Sequence, residues 1–174
     1  MAYRQLGLIR EADNEIAIHE RMARQSHSPK EDQSRNSPFR TMLAQDSLDI
    51  VVVATSNYLH YPMAMATIDA GCHVLCDKPL ALDAGQAKEM ARRAEELGRK
   101  HFVAFTWRFL PAAAYMKEII PAGFLGQLYH VNAQYFVRTW SDPAQPMRWQ
   151  LDKAHSGSGS LGNLGSHAVQ SVHW

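Results

Sequence analysis

The chain has 174 residues, 46% hydrophobic and 20% charged, which supplies an ordinary core and excludes both a disordered tail and a staple-dependent miniprotein. Its 18 basic and 17 acidic side chains leave a formal net charge of +1, so no global field draws it to nucleic acid or anionic lipid. No apolar run approaches the roughly 18 residues of a membrane helix, and no signal-peptide core follows Met1, so the expectation is a cytoplasmic protein with neither nucleic-acid nor membrane partners.

In chain order, Ile16, Ile18, Met22 and Ala23 suit a short amphipathic helix entered through Asp13 or Asn14. Ser26 to Pro38 reads SHSPKEDQSRNSP, without one aliphatic or aromatic side chain, and is expected to be a mobile linker. Residues 1–37 are therefore set apart as a degenerate N-terminal segment and linker. Pro38 with Phe39, Met42 and Leu43 predicts a short helix. Asp49 to Thr55 is a β-branched run, the pattern of a strand buried on both faces. Pro62 predicts the start of a helix that ends at Gly71, and His73-Val74-Leu75-Cys76 predicts the next strand. Asp83 and Gln86 form a capping box for a helix through Leu97, stopped by Gly98, and His101 to Thr106 supplies a third strand. Strand, helix, strand, helix, strand with short links is a parallel α/β sheet. Pro111 to Ile120 reads as another helix. After Gly126, Leu128 to Val137 is extended and reads as the first strand of a second domain. The expected architecture is a partial Rossmann-type parallel sheet over residues 38–122, then the start of a second α/β, open-sheet domain over 123–174.

In such a sheet, ligands sit beyond the carboxyl ends of the strands. The three ends here are Thr55-Ser56-Asn57-Tyr58-Leu59-His60, Asp77-Lys78-Pro79 and Thr106-Trp107-Arg108. A lysine between a carboxylate and a proline can present a fixed ammonium to a hydroxyl, although a lone D-K-P is also an ordinary solvated turn. A fourth cluster, Gly157 to His167, delivers a histidine through a glycine-rich stretch, which composition alone does not separate from a flexible loop. Cys72 and Cys76 fall in one apolar segment and read as core, and the nine histidines lack metal-ligand spacing, so no metal is expected.

Together, the segments DIVVVATSNYLHYPMAMATIDAGCHVLCDKPLALDAGQA, HFVAFTWRFLPAAAYMKEII, GFLGQLYHV and MRWQLDKAHSGSGSLGNLGSH resemble the glucose-fructose oxidoreductase, inositol dehydrogenase and rhizopine-catabolism family, Gfo/Idh/MocA, from about Asp49 to Trp174. The resemblance implies an oxidoreductase that moves hydride between NAD or NADP and a sugar, cyclitol or related polyol, and that is a homo-oligomer in its full-length form. It implies that Thr55, Ser56, Asn57 and His60 line the cofactor, with Ser56 where the family usually has proline. Asp77 stands where the family most often has glutamate, and Lys78 is the lysine that touches nicotinamide ribose and substrate. Trp107 and Arg108 lie near the nicotinamide, and Trp149 and His167 close the substrate side. Hydride loss from a carbinol also requires a base for the hydroxyl proton; His167 is the candidate, with Lys78 steadying the developing alkoxide.

Three departures bear on activity. Leu6-Gly7-Leu8-Ile9-Arg10 has one glycine where the family opens on its G-x-G-x-x-G phosphate turn. Asn163 stands where the family has an aspartate four residues before the histidine, and Gln150 follows Trp149 where relatives often carry arginine. The chain also stops at Trp174, early in the expected second domain. These departures lead to the expectation of a poorly active fragment of an enzyme, with a non-catalytic dinucleotide-fold regulator or redox sensor as the alternative.

Overall fold

A computed structural model describes residues 38–138, 144 and 146–174; the amphipathic helix expected near Ile16 and the linker before Pro38 lie outside these residues. The described chain runs α1 (Pro38–Gln45), β1 (Ile50–Val53), α2 (Asn57–Asp69), β2 (His73–Cys76), α3 (Ala84–Glu96) and β3 (His101–Val103), then a 3-10 turn (Thr106–Phe109) and α4 (Pro111–Ile119). Next come a second 3-10 turn (Trp149–Leu151), the single turn α5 (Lys153–Ser156), a π-helical turn (Leu161–Gly165) and α6 (Ser166–His173).

The three strands form one parallel sheet in the order β1-β2-β3, with Val53 beside Cys76 and Cys76 beside Val103. Val51, Val53, Val74 and Cys76 face a core completed by Ala64 and Ile68 of α2, Met90 and Ala94 of α3, Phe39 and Cys72. Both cysteines are thus core groups, and burial pushes the Cys76 thiol up to about 12.

Side chains alternate across a strand, so Ile50 and Val52 point to the opposite face. They are 46% and 44% exposed, and Phe102 of β3 is 65% exposed. The expectation that β1 is buried on both faces is therefore corrected: among the described residues, one face is covered and the other is open. A β-branched run reports strand propensity and does not count the layers packed on it.

The second helix starts earlier than its proline suggests. Ser56 has extended backbone (φ −71°, ψ 145°) and its carbonyl accepts from the Leu59 amide at 2.9 Å, so the first turn closes at Asn57 and Pro62 lies inside the helix. Gly71, at φ +84°, turns the chain into β2. Asp83 caps α3 as expected, accepting the Gln86 amide at 2.9 Å, while the Gln86 side chain accepts the Leu82 amide at 3.2 Å. Leu128 to Val137 is not a strand: its backbone joins no ladder among the described residues, and Tyr129 and Phe136 are 91% and 84% exposed. Alternating apolar residues form a strand only when a neighbour supplies the hydrogen bonds.

Candidate active site

The site lies beyond the carboxyl ends of the three strands. Each strand hands over to its loop through the ladder: the Asp77 amide donates to the Val53 carbonyl and the Ala104 amide to the Cys76 carbonyl, both at 2.8 Å. Residues 54–57, 77–79 and 104–108 are thereby held side by side on one edge.

On the middle loop, the Lys78 amide donates to the carboxylate of Asp77 at 2.8 Å. The Lys78 ammonium reaches across to the glycine-rich segment and donates to both oxygens of Asn163, the side-chain Oδ1 at 2.5 Å and the backbone carbonyl at 3.1 Å. An ammonium has three N–H groups, so one is left for a further acceptor. Burial holds the Lys78 pKa below the usual lysine value, with the Asp77 charge opposing.

Glycine makes this approach possible. Gly157 has φ +75°, and a Cβ there would lie 2.9 Å from Leu82 Cδ2; one on Gly162 would lie 2.6 Å from Ser158 Oγ and 3.5 Å from Pro79 Cγ. The segment from Gly157 to Gly165 is thus packed against the loop that carries Lys78, and its π-helical turn runs into α6 so that His167 enters the site from the first turn.

His167 is 7% exposed. Its ring stacks on Trp107 (centroids 4.4 Å apart, planes at 16°) and meets the edges of Phe105 and Tyr135 at 5.9 and 6.3 Å. Its Nδ1 is buried without a hydrogen-bond partner among the described residues. Burial, then the positive charge of Lys78, lowers the His167 pKa below the ordinary histidine value, against the opposing Asp77 carboxylate. The imidazole is therefore neutral at pH 7 and carries a lone pair.

The other expected residues divide. Thr55 and Ser56 stand half-exposed at the end of β1. Asn57 and His60 turn inward: Asn57 is 4% exposed and donates from Nδ2 to the Ser156 carbonyl at 2.9 Å, and His60 has no exposure at all. Arg108, with the Gln170 amide oxygen turned toward it, donates from Nη2 and Nε at 2.7 and 3.1 Å. The guanidinium also lies 5.7 Å from the Trp174 ring centroid. Trp149 opens a separate turn, 37% exposed, and no ring contact joins it to His167 among the described residues.

Sequence reasoning did not single out Tyr135 or Gln170. Tyr135 packs on Trp107 at 4.6 Å from within a stretch that has no regular structure, and no sequence signal marks it. Gln170 had a signal: it lies three residues after His167 and shares that helix face, where both are buried.

Comparison with known proteins decides the family. The model of the oxidoreductase family with NAD-binding Rossmann fold matches residues 8–105, and that of the GFO/IDH/MocA C-terminal domain matches residues 113–174. The chain belongs to the Gfo/Idh/MocA oxidoreductase family. The Gfo/Idh/MocA match begins at residue 8, so it reaches well before Asp49 and into the segment that composition had set apart.

Among curated Gfo/Idh/MocA relatives, levoglucosan dehydrogenase of Pseudarthrobacter phenanthrenivorans is 33% identical over 138 residues, which are 79% of this chain and 35% of that protein. D-glucoside 3-dehydrogenase of Escherichia coli is 31% identical over 135 residues, 76% of this chain and 37% of that one. An NAD-binding oxidoreductase from Klebsiella pneumoniae superposes with a TM-score of 0.71 at 39% identity, covering 78% of this chain and 36% of its own. Levoglucosan dehydrogenase in complex with NADH and levoglucosan superposes at 0.73 with 32% identity, covering 78% and 36%. The chain spans about a third of the length of these relatives.

The described residues fit the nicotinamide end of a dinucleotide. A half-buried ammonium with one N–H left over stands beside the exposed ends of two strand loops, and the buried His167 ring has no hydrogen-bond partner at Nδ1 among the described residues. The opening stretch Leu6 to Arg10, where the family's phosphate turn is expected, lies outside the described residues.

Proposed function

We propose that this chain carries the nicotinamide-side part of an NAD(P)-dependent dehydrogenase site that acts on a hydroxyl of a sugar, cyclitol or related polyol. The observation that carries this reading is the contact of Lys78 with the histidine segment: its ammonium donates to both oxygens of Asn163, four residues before the buried His167 ring that stacks on Trp107. Lys78, Thr55, Ser56 and Trp107 would hold the nicotinamide end of the cofactor, which when bound supplies the hydride acceptor or donor. His167 takes the hydroxyl proton as a neutral base, its ring plane fixed by the stack on Trp107. Lys78 directs its remaining N–H at the same oxygen and stabilises negative charge there without giving up its proton. Asn163 keeps that ammonium aimed, and Arg108, held by Gln170, ties the third loop to the His167 helix.

The experiment is a fluorescence titration of the purified chain with NADH and NADPH, followed by an oxidation assay over a polyol panel. Cofactor binding is expected, with any turnover falling by about 10²-fold or more in His167→Asn. Absence of NADH and NADPH binding at millimolar concentration would end the dehydrogenase reading.

One observation favours a second reading. Asn163 gives its oxygens to Lys78, and among the described residues no carboxylate orients His167 Nδ1, so the base lacks the support that fixes a tautomer. On that reading the chain binds a dinucleotide without turning it over, as a regulator or redox sensor. Turnover gained by Asn163→Asp identifies an impaired enzyme; tight cofactor binding with no turnover in either form identifies the sensor.

A further inference from the structure

The most fully enclosed polar side chain at the site has no place in the chemistry above. His60 has no exposed surface, yet both its ring nitrogens meet backbone oxygens: Nδ1 lies 2.8 Å from the Pro79 carbonyl and Nε2 3.1 Å from the Thr55 carbonyl. Thr55 is two residues past the end of β1, and Pro79 directly follows Lys78. The two carbonyls therefore belong to neighbouring strand-end loops, beyond the ladder that ties the strands themselves. We propose that His60 is a positioning residue for Lys78, its imidazole bridging the two loops and fixing the base from which the lysine reaches Asn163.

A neutral imidazole has one N–H; on Nδ1, the nitrogen closer to a carbonyl, it donates to Pro79 and so ties the Lys78 loop to the helical turn that directly follows Thr55. The first turn of α2 also holds the other end of the lysine's reach. Asn57, three residues before His60, donates to the Ser156 carbonyl, and Tyr58 meets the ring of His155 edge-on at 5.0 Å. Residues 155 and 156 lead into the glycine-rich segment that carries Asn163. One helical turn thus anchors both the donor loop and the acceptor loop of the Lys78–Asn163 contact.

A displaced lysine has a distinct signature. The groups that act on the Lys78 ammonium are the Asp77 carboxylate, the His167 imidazole and the oxygens of Asn163, and burial is the main reason it gives up its proton more readily than an exposed lysine. Released from its loop, it regains water.

The proposal rests on the preceding reading of Lys78 as the ammonium of the site, but its test needs no cofactor. In the full chain with 13C-methylated lysines, the Lys78 signal, assigned by its loss in Lys78→Arg, is followed by NMR against pH. Its midpoint is expected to lie below the bulk of the lysines, to rise into that bulk in His60→Leu, and to rise part of the way in His60→Gln, which keeps an N–H donor on a differently shaped side chain. A folded His60 variant with the wild-type Lys78 midpoint overturns the proposal. Should neither variant fold, the wild-type chain decides: a slowly exchanging, downfield His60 ring N–H is expected, and its absence overturns the bridge. NADH titration of the same samples separates the two claims. Displacement of Lys78 in a chain that binds no NADH keeps the role of His60 and removes the dehydrogenase reading; NADH binding with an unmoved Lys78 does the reverse.

Discussion

The unit from β1 to α3 and the stretch from α4 to Val137 both carry many apolar side chains and fare differently. In the first, Ala64, Ile68 and Ala94 have no exposure and Val53 and Cys76 have 1% each. In the second, Tyr115, Phe124, Tyr129 and Phe136 are between 61% and 91% exposed. In the first unit, each element meets a partner adjacent in sequence, a strand followed by the helix that covers it, so burial is completed locally. In the second, the apolar pattern is present, but apart from Tyr135 against Trp107 and His167 its aromatic side chains stay exposed among the described residues. Hydrophobic patterning decides which face of a segment is available for packing; a second surface decides whether it packs.

This contrast can be broken or sharpened by measurement. The largest effect is expected in the core: Ile68→Ala should lower stability by about 3–4 kcal/mol in urea unfolding, whereas Phe136→Ala should stay within about 0.5 kcal/mol. Comparable losses at the two positions would mean that the Phe136 region is packed in solution, and the contrast would be lost. An intermediate effect is expected where the two parts of the molecule meet. Gly157→Ala forces φ +75° on an alanine and drives its Cβ to 2.9 Å from Leu82, and should cost about 1–3 kcal/mol and loosen the hold of Asn163 on Lys78. Gly159→Ala, at φ +55° but in open space, should cost less, so equal shifts in thermal midpoint would remove the close-approach argument.

The smallest effect is electrostatic. The folded-state pKa of His167 lies below its unfolded value, so as pH falls the unfolded chain takes up this proton before the native one does. The penalty is absent above the ordinary histidine range and grows as pH falls through it toward the folded-state value, where it levels off. Unfolding free energy measured between pH 5 and 8 should therefore rise with pH, and His167→Asn should flatten part of that slope; an unchanged slope would show that the ring is solvated.

Much of the site was legible in the sequence because strand ends in a parallel sheet are where ligands gather, and the D-K-P and histidine segments fall there. The roles within it were less legible. Thr55 through His60 looked like one lining loop, but helix periodicity turns Asn57 and His60 into the interior while Ser56 stays at the rim. Arg108 looked available for a cofactor until α6 brought Gln170 against it. Tyr135 carried no signal because its position depends on the path of a segment without periodic structure.

The sequence alone determined the strand and helix alternation, the cap at Asp83, the turns at Gly71 and Gly98, and the family, because each depends on residues a few positions apart or on motifs held in order. Only the tertiary structure decided that β1 is covered on one face, that α2 begins at Asn57, that Leu128 to Val137 is not a strand, and that Lys78 and Asn163 meet across 85 positions. Those outcomes depend on which surfaces meet, and contact between distant segments leaves no mark on the spacing of residues within either one.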